Sequence, residues 1–194
     1  MFLYTFNDFI RQVLTAGSRI RYRYNSSVRL QKKEPPNMQR ITPFLWFNDN
    51  AEEAINLYTS IFPNAKIGTV NRYPEGSPGP VGTVMTATFE LDGLEFTALN
   101  GGPHYSFSPA ISFYVSCKTQ AEVDELWEKL SEGGEVQQCG WLTDRFGVTW
   151  QIVPTVLGEL MSDPDPVKAQ RVMQAMLQMV KLDIAALQRA YAGE

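Results

Sequence analysis

Histidine is nearly missing from this sequence: its 194 residues include one, His104. A metal centre that needs two histidines from one chain is excluded by count. Cysteine is scarce as well. Cys117 and Cys139 form no CxxC pair, so a zinc ribbon and a thioredoxin-type redox motif are excluded too. Thiols used so sparingly suit a reducing compartment, and a cytoplasmic location is expected, with one disulfide left open. No run approaches the ~18 apolar residues of a membrane-spanning helix, so no membrane partner is expected. What is present is ordinary for a globular protein that buries its own core: 44% hydrophobic and 20% charged residues.

Charge is unevenly spread. Residues 1–37 carry seven Lys and Arg against two acids, the rest ten against nineteen, and the balances of +5 and −9 give the net charge of −4. An acidic main body argues against a nucleic-acid partner. The basic segment contains RIRYRY at 19–24 and KKEPP at 32–36 and keeps no apolar period. Three readings stand for it: an organellar presequence, with Arg11, Arg19, Arg21, Arg23 and Arg29 among serines; a contact with an anionic surface; or an upstream extension ahead of a true start at Met38. The last is preferred, because Met38 stands two residues before the first strand signal, with Pro35-Pro36 just upstream. The expected organisation is a disordered or non-native extension over 1–37, a domain over 38–155 and a helical segment over 156–194.

A repeat runs through the middle region. Residues 41–47 (ITPFLWF) have strand character, and Ala51, Ala54, Ile55, Tyr58, Ile61 and Phe62 then recur at helical spacing up to Pro63. Asn50 and Glu53 have capping-box spacing. About 70 residues later the order returns. Residues 110–117 (AISFYVSC) read as a strand, Thr119 and Glu122 as a capping box, and Val123, Leu126, Trp127 and Leu130 as one helix face closed by Gly133-Gly134. Strands are expected at 66–73, 83–91 and 94–100 after the first helix, and at 136–139, 141–143 and 148–153 after the second. Asp92-Gly93 is a type I′ hairpin signal. The pattern is βαβββ twice, over about 40–100 and 110–154, hence an α+β fold. One helix covers only one face of a four-stranded sheet, so two modules can pair their open faces around a shared cavity. A ferredoxin-like sandwich with aromatics filling its core is the competing arrangement.

The segments ITPFLWFNDNAEEAINLYTSIFP, ISFYVSCKTQAEVDELWEKL, QCGWLTDRFGVTWQIVP and RVMQAMLQMVKLDIAALQRAYAG resemble the PhnB-like branch of the vicinal-oxygen-chelate (VOC; glyoxalase/bleomycin-resistance) superfamily, over about residues 38–192. That resemblance implies an eight-stranded cavity fold, commonly a homodimer, and an inherited label of demethylubiquinone methyltransferase. Metal-dependent members place His or Glu on the first, fourth, fifth and eighth strands. Those positions fall here near Thr42, at Phe96 or Thr97, within 110–112 (Ala110 to Ser112), and at Gln151. None is a normal divalent-metal ligand, so no metal and no cofactor are expected. Methyl transfer with a Rossmann-bound cofactor would need a glycine-rich turn after the first strand. The first strand runs instead into NDNAEEA, and Gly101-Gly102 is followed by proline.

Thr42, Trp46, Phe96, Asn100, Ser112, Trp141 and Gln151 are the candidate ligand-contacting residues. For the aromatics, including Trp150, core packing competes with a role as pocket lining. Trp150 and Gln151 cannot share a face, so a pocket-facing Gln151 sends Trp150 towards the helices. Gln151 could donate and accept hydrogen bonds. His104, in the loop GGPHYSF, could serve as a general base or simply be solvated; with Gln151 it is the only candidate for catalysis. Asp144 and Arg145 read as hairpin-turn residues, and both cysteines as small buried side chains. At the C-terminal end Asp165 caps a helix with Pro166 in its first turn, and a stripe runs from Val172 through Met173, Met176, Val180, Ile184 and Leu187 to Tyr191. That stripe suits a helix docked on its own domain with some dimer contact. The leading expectation is a metal-independent small-molecule-binding protein. The rivals are a metal-free enzyme of the same fold and a drug-sequestering resistance protein.

Overall fold

In a computed structural model of the chain, residues 41–194 are described. The expectations for residues 1–37 and for Met38 lie outside them. The first module comprises β1 (Phe44–Phe47), α1 (Ala51–Ile61), β2 (Lys66–Arg72), β3 (Val84–Leu91) and β4 (Leu94–Asn100). The second comprises β5 (Phe113–Cys117), α2 (Gln120–Ser131), β6 (Glu135–Val136), β7 (Trp141–Thr143) and β8 (Thr149–Pro154). Helices α3 (Thr155–Met161), α4 (Pro166–Leu177) and α5 (Ile184–Ala192) follow.

The two sheets share one topology. Their orders are β1-β4-β3-β2 and β5-β8-β7-β6, and in each the first strand pairs in parallel with the last while the remaining pairs are antiparallel. This is an α+β fold of two βαβββ units. The Asp92-Gly93 turn has φ of 46° and 85°, as a type I′ hairpin requires. Thr119 caps α2 by accepting from the Glu122 amide at 3.2 Å, and Glu122 reaches back to the Lys118 amide at 2.6 Å. The expected box at Asn50 does not form, because that side chain makes no cap bond. The Asn100 amide oxygen takes its place, accepting from the Ala51 amide at 2.8 Å. A cap that seemed local is thus supplied from the end of β4.

Alternation gives each sheet a covered and an open face. Phe89, Phe96 and Ala98 of the first sheet and Leu142, Trp150 and Ile152 of the second are buried with Tyr58 of α1 and Val123 and Leu130 of α2 in one core cluster. The modules join through these covered faces. Trp150 stacks on Phe62, the residue that ends α1, with centroids 5.5 Å apart, and Phe96 meets Phe113 edge-on at 5.1 Å. Asp144, 3% exposed, ties them further: it accepts from the Tyr58 hydroxyl at 2.7 Å and from the Trp150 indole at 2.8 Å. Its other oxygen takes the Phe146 and Val148 amides. The expected pairing of open faces inside one chain is therefore not what forms. The large aromatics lie on the helix side, and burying them draws the covered faces together. The open faces stay accessible in part, with Phe44 57% and Tyr114 60% exposed at equivalent places on β1 and β5, while Leu99 and Thr149 on the same faces are buried.

The C-terminal stripe, expected as one helix, is two. Asp165 caps α4 and Asp183 caps α5. Between them the Met179 and Val180 carbonyls accept from the amides of Cys139 and Gly140, both at 2.8 Å. Pairing with that segment removes residues 179–180 from a continuous helix. Leu157, Val172, Leu182 and Leu187 form a second core cluster around Val153 of β8. Val153 shares its face with Gln151, so the C-terminal helices cover one end of the open face of the second sheet.

Candidate ligand-binding site

Three of the candidate residues come together on the open face of the second sheet. Gln151 of β8 stands opposite Trp141 of β7 and Tyr114 of β5. Its side-chain amide donates to the Ser112 hydroxyl at 2.8 Å, which leaves the Gln151 carbonyl oxygen, its second N–H and the Ser112 O–H available. One rung away the Thr143 and Thr149 hydroxyls lie 3.5 Å apart, and Gln137 donates to Thr143 at 3.0 Å. Neutral donors and acceptors thus cross the sheet between two aromatic side chains.

Trp46 and Thr97 occupy the matching face of the first sheet, with Thr88 paired to Thr97. The Trp46 indole donates to the Gly102 carbonyl at 2.9 Å, and Tyr105 meets its ring edge-on at 5.0 Å. The loop after β4 therefore folds over Trp46. A Cβ on Gly101 would lie 2.3 Å from the Trp46 ring, so glycine is what lets the backbone pass. His104 is exposed in this loop, and Thr42 is half-buried ahead of β1.

Two candidates sit elsewhere. Phe96 is 3% exposed and stacks on Phe89 at 5.0 Å on the covered face. It borders a cleft of about 380 Å3 at the module junction with Phe62, Phe113 and Trp150, and Ser112 and Tyr114 of the second module line the same cleft. Of the two possible fourth-strand positions, Thr97 is the one on the open face. Asn100 is 7% exposed and committed to architecture: besides capping α1, it donates to the Val84 carbonyl at 2.9 Å, and its own carbonyl accepts from the Tyr73 hydroxyl. Trp150 lies on the helix side. Asp144 is more than a turn residue, because the bonds to Tyr58 and Trp150 place it in the core. Burial, reinforced by the Asp144 charge, raises the Tyr58 hydroxyl well above the ordinary tyrosine value.

The profile of the 3-demethylubiquinone-9 3-methyltransferase family matches residues 39–153. The chain belongs to this family. Among solved structures, a PhnB protein of Bacillus cereus is 40% identical with a TM-score of 0.58, the match covering 60% of this chain and all of that one. A Pseudomonas aeruginosa protein is 26% identical with a TM-score of 0.51, over 60% of this chain and 97% of the other. No curated protein matches. The fold is VOC-like, and the family's matched span ends at Val153, two residues before α3 begins.

The methyl-donor cofactor that the family name implies finds no cradle of the Rossmann kind. The turn from β1 into α1 holds Asn48, Asp49 and Asn50, and their side chains would obstruct the close backbone approach that glycine permits. Among the described residues, no three His, Cys, Asp or Glu side chains converge where a metal ion could be held. No described helix is long and apolar enough to cross a membrane. Sequence reasoning missed Tyr114, Gln137, Thr143 and Thr149 as members of the open face. Tyr114 carried a usable signal, being two residues beyond Ser112 on the same strand. The threonines and Gln137 could be placed only once the pairing of β7 was known.

Proposed function

We propose that this PhnB-like protein binds a small organic molecule on its open sheet faces without a metal ion at the four mapped positions. The convergence of Ser112, Gln151 and Trp141 carries the reading: a hydrogen-bonded neutral pair beside an aromatic surface stands where metal-dependent relatives in the superfamily would use ligands. Thr97 stands at the equivalent point of the first sheet. Neutral oxygens are weak donors to divalent ions of the zinc series, whereas amide and hydroxyl groups orient an organic ligand well.

A second copy completes the site. The two modules of one chain meet through covered faces, so neither open face shields the other from water. A partner supplies the opposing wall, and the exposed Phe44 and Tyr114 are the apolar surface such an association would bury. Sedimentation equilibrium and equilibrium dialysis with Zn2+, Ni2+ and Fe2+ test the proposal together. A dimer without stoichiometric metal is expected. Stoichiometric metal that Gln151→Ala or Ser112→Ala releases would overturn the metal-free reading, and a monomer at 100 µM, roughly a hundredfold above a micromolar Kd, would overturn the shared site.

A further inference from the structure

Resting on that reading, we infer that the strip formed by Ser112, Gln151, Gln137 and Thr143 recognises an uncharged carboxamide, ketone or hydroxyl group on a planar ligand, and that the site rejects carboxylates and other anions. The strip offers hydrogen-bond donors and acceptors at fixed spacing. Successive rungs are ~7 Å apart along a strand, so Gln151 with Ser112 and Thr143, backed by the buried Thr149, together span the length of a fused two-ring ligand. Trp141 and Tyr114 border the Gln151 rung and supply flat apolar surface for a ring.

Charge decides the class. An anion buried between the faces would need a cation or several convergent N–H groups to offset its desolvation. The described strands carry two basic side chains, Lys66 and Arg72, and each is already paired with a carboxylate at 2.8 Å, Lys66 with Glu90 and Arg72 with Glu52. Glu135, opposite Thr143, adds negative potential at the edge of the strip. His104 is exposed in the loop above the first sheet rather than in the strip. One N–H of the Gln151 amide is already turned to Ser112, so Gln151 presents its carbonyl oxygen, an acceptor, beside its one remaining N–H. That oxygen would repel a carboxylate and would pair with the N–H of a carboxamide, whose own carbonyl takes the Ser112 O–H.

The test uses isosteric pairs: benzamide and benzoate, nicotinamide and nicotinate, 2-naphthamide and 2-naphthoate. Each is titrated into the 15N-labelled full chain at pH 7, reading the Trp indole and Gln side-chain NMR signals. At least one amide is expected to shift the Trp141 and Gln151 signals with at least tenfold higher affinity than its acid. Gln151→Leu should remove that response while leaving the urea midpoint within the error of wild type, and Gln151→Asn should retain part of it. An acid that binds as well as its amide, or amides that shift only signals outside the strip, would overturn the inference and leave the open-face site standing. Failure of all six compounds to move any signal on either open face would overturn both.

Discussion

Replacing Asp144 should expose how far the two modules depend on one side chain. Its carboxylate is 3% exposed and accepts four hydrogen bonds, from the Tyr58 hydroxyl, the Trp150 indole and the Phe146 and Val148 amides. Asp144→Ala leaves the Tyr58 and Trp150 donors buried without an acceptor, at about 1–3 kcal/mol each. Adding the loosened turn gives a loss of about 3–5 kcal/mol, a large part of the ~5–15 kcal/mol that typically holds a domain. Tyr58→Phe keeps the ring contacts with Trp150 and Phe146 and removes one bond to a charged group, about 1.5–3 kcal/mol. Asp144 keeps its other donors in that variant, so the lower end is expected. Urea unfolding followed by tryptophan fluorescence, at one fixed protein concentration, measures both losses and the double variant. The double variant should cost less than the sum of the singles, because Tyr58 cannot be orphaned twice. Equal costs for Asp144→Ala and an exposed control such as Asp49→Ala, or a strictly additive double variant, would refute the idea of a shared buried network.

The same tyrosine predicts alkaline behaviour. Its folded-state pKa is raised, so its contribution is fully present below the ordinary tyrosine value near 10 and is lost as pH rises through the folded value; between pH 9.5 and 11 Tyr58→Phe should lose stability less steeply than wild type in urea titrations. Burial, with a smaller push from Glu122, raises the Cys117 thiol to about 11, so Ellman's reagent at pH 8 should leave Cys117 unmodified until denaturant is added, as tryptic mapping would show. Gly101→Ala should cost about 1–3 kcal/mol by forcing the Trp46 ring aside, and should shift tryptophan emission; an unchanged spectrum and midpoint would show that the loop gives way instead.

Much of the fold was legible because its signals are local. The Asp92-Gly93 turn, the Thr119 cap and the apolar period of α1 each act within a few residues, and the repeat made one module a check on the other. Asn50 and Asn100 show where local reading fails. Both are asparagines next to a helix start or a strand end, and only tertiary geometry determines which one caps α1. The break at Met179 and Val180 is equally invisible in an apolar stripe, since it depends on the amides of Cys139 and Gly140 across the chain. For the site, alternation separated Gln151 from Trp150 correctly, yet it could not choose between Phe96 and Thr97 without the register of β4. Nor could it reveal that the covered faces, with their aromatics, are the ones that join the modules.

The placement of the C-terminal helices against Val153 also bears on handedness of recognition. Two modules with one topology create a near-twofold frame, and a ligand between two equivalent faces could lie in either of two orientations with similar energy. The helices cover the end of only the second sheet, while the loop carrying Tyr105 lies over the first. One end is therefore closed by helices and the other covered by a loop, so under the proposed function a ligand would meet a direction, its head and tail distinguished before any single hydrogen bond is made.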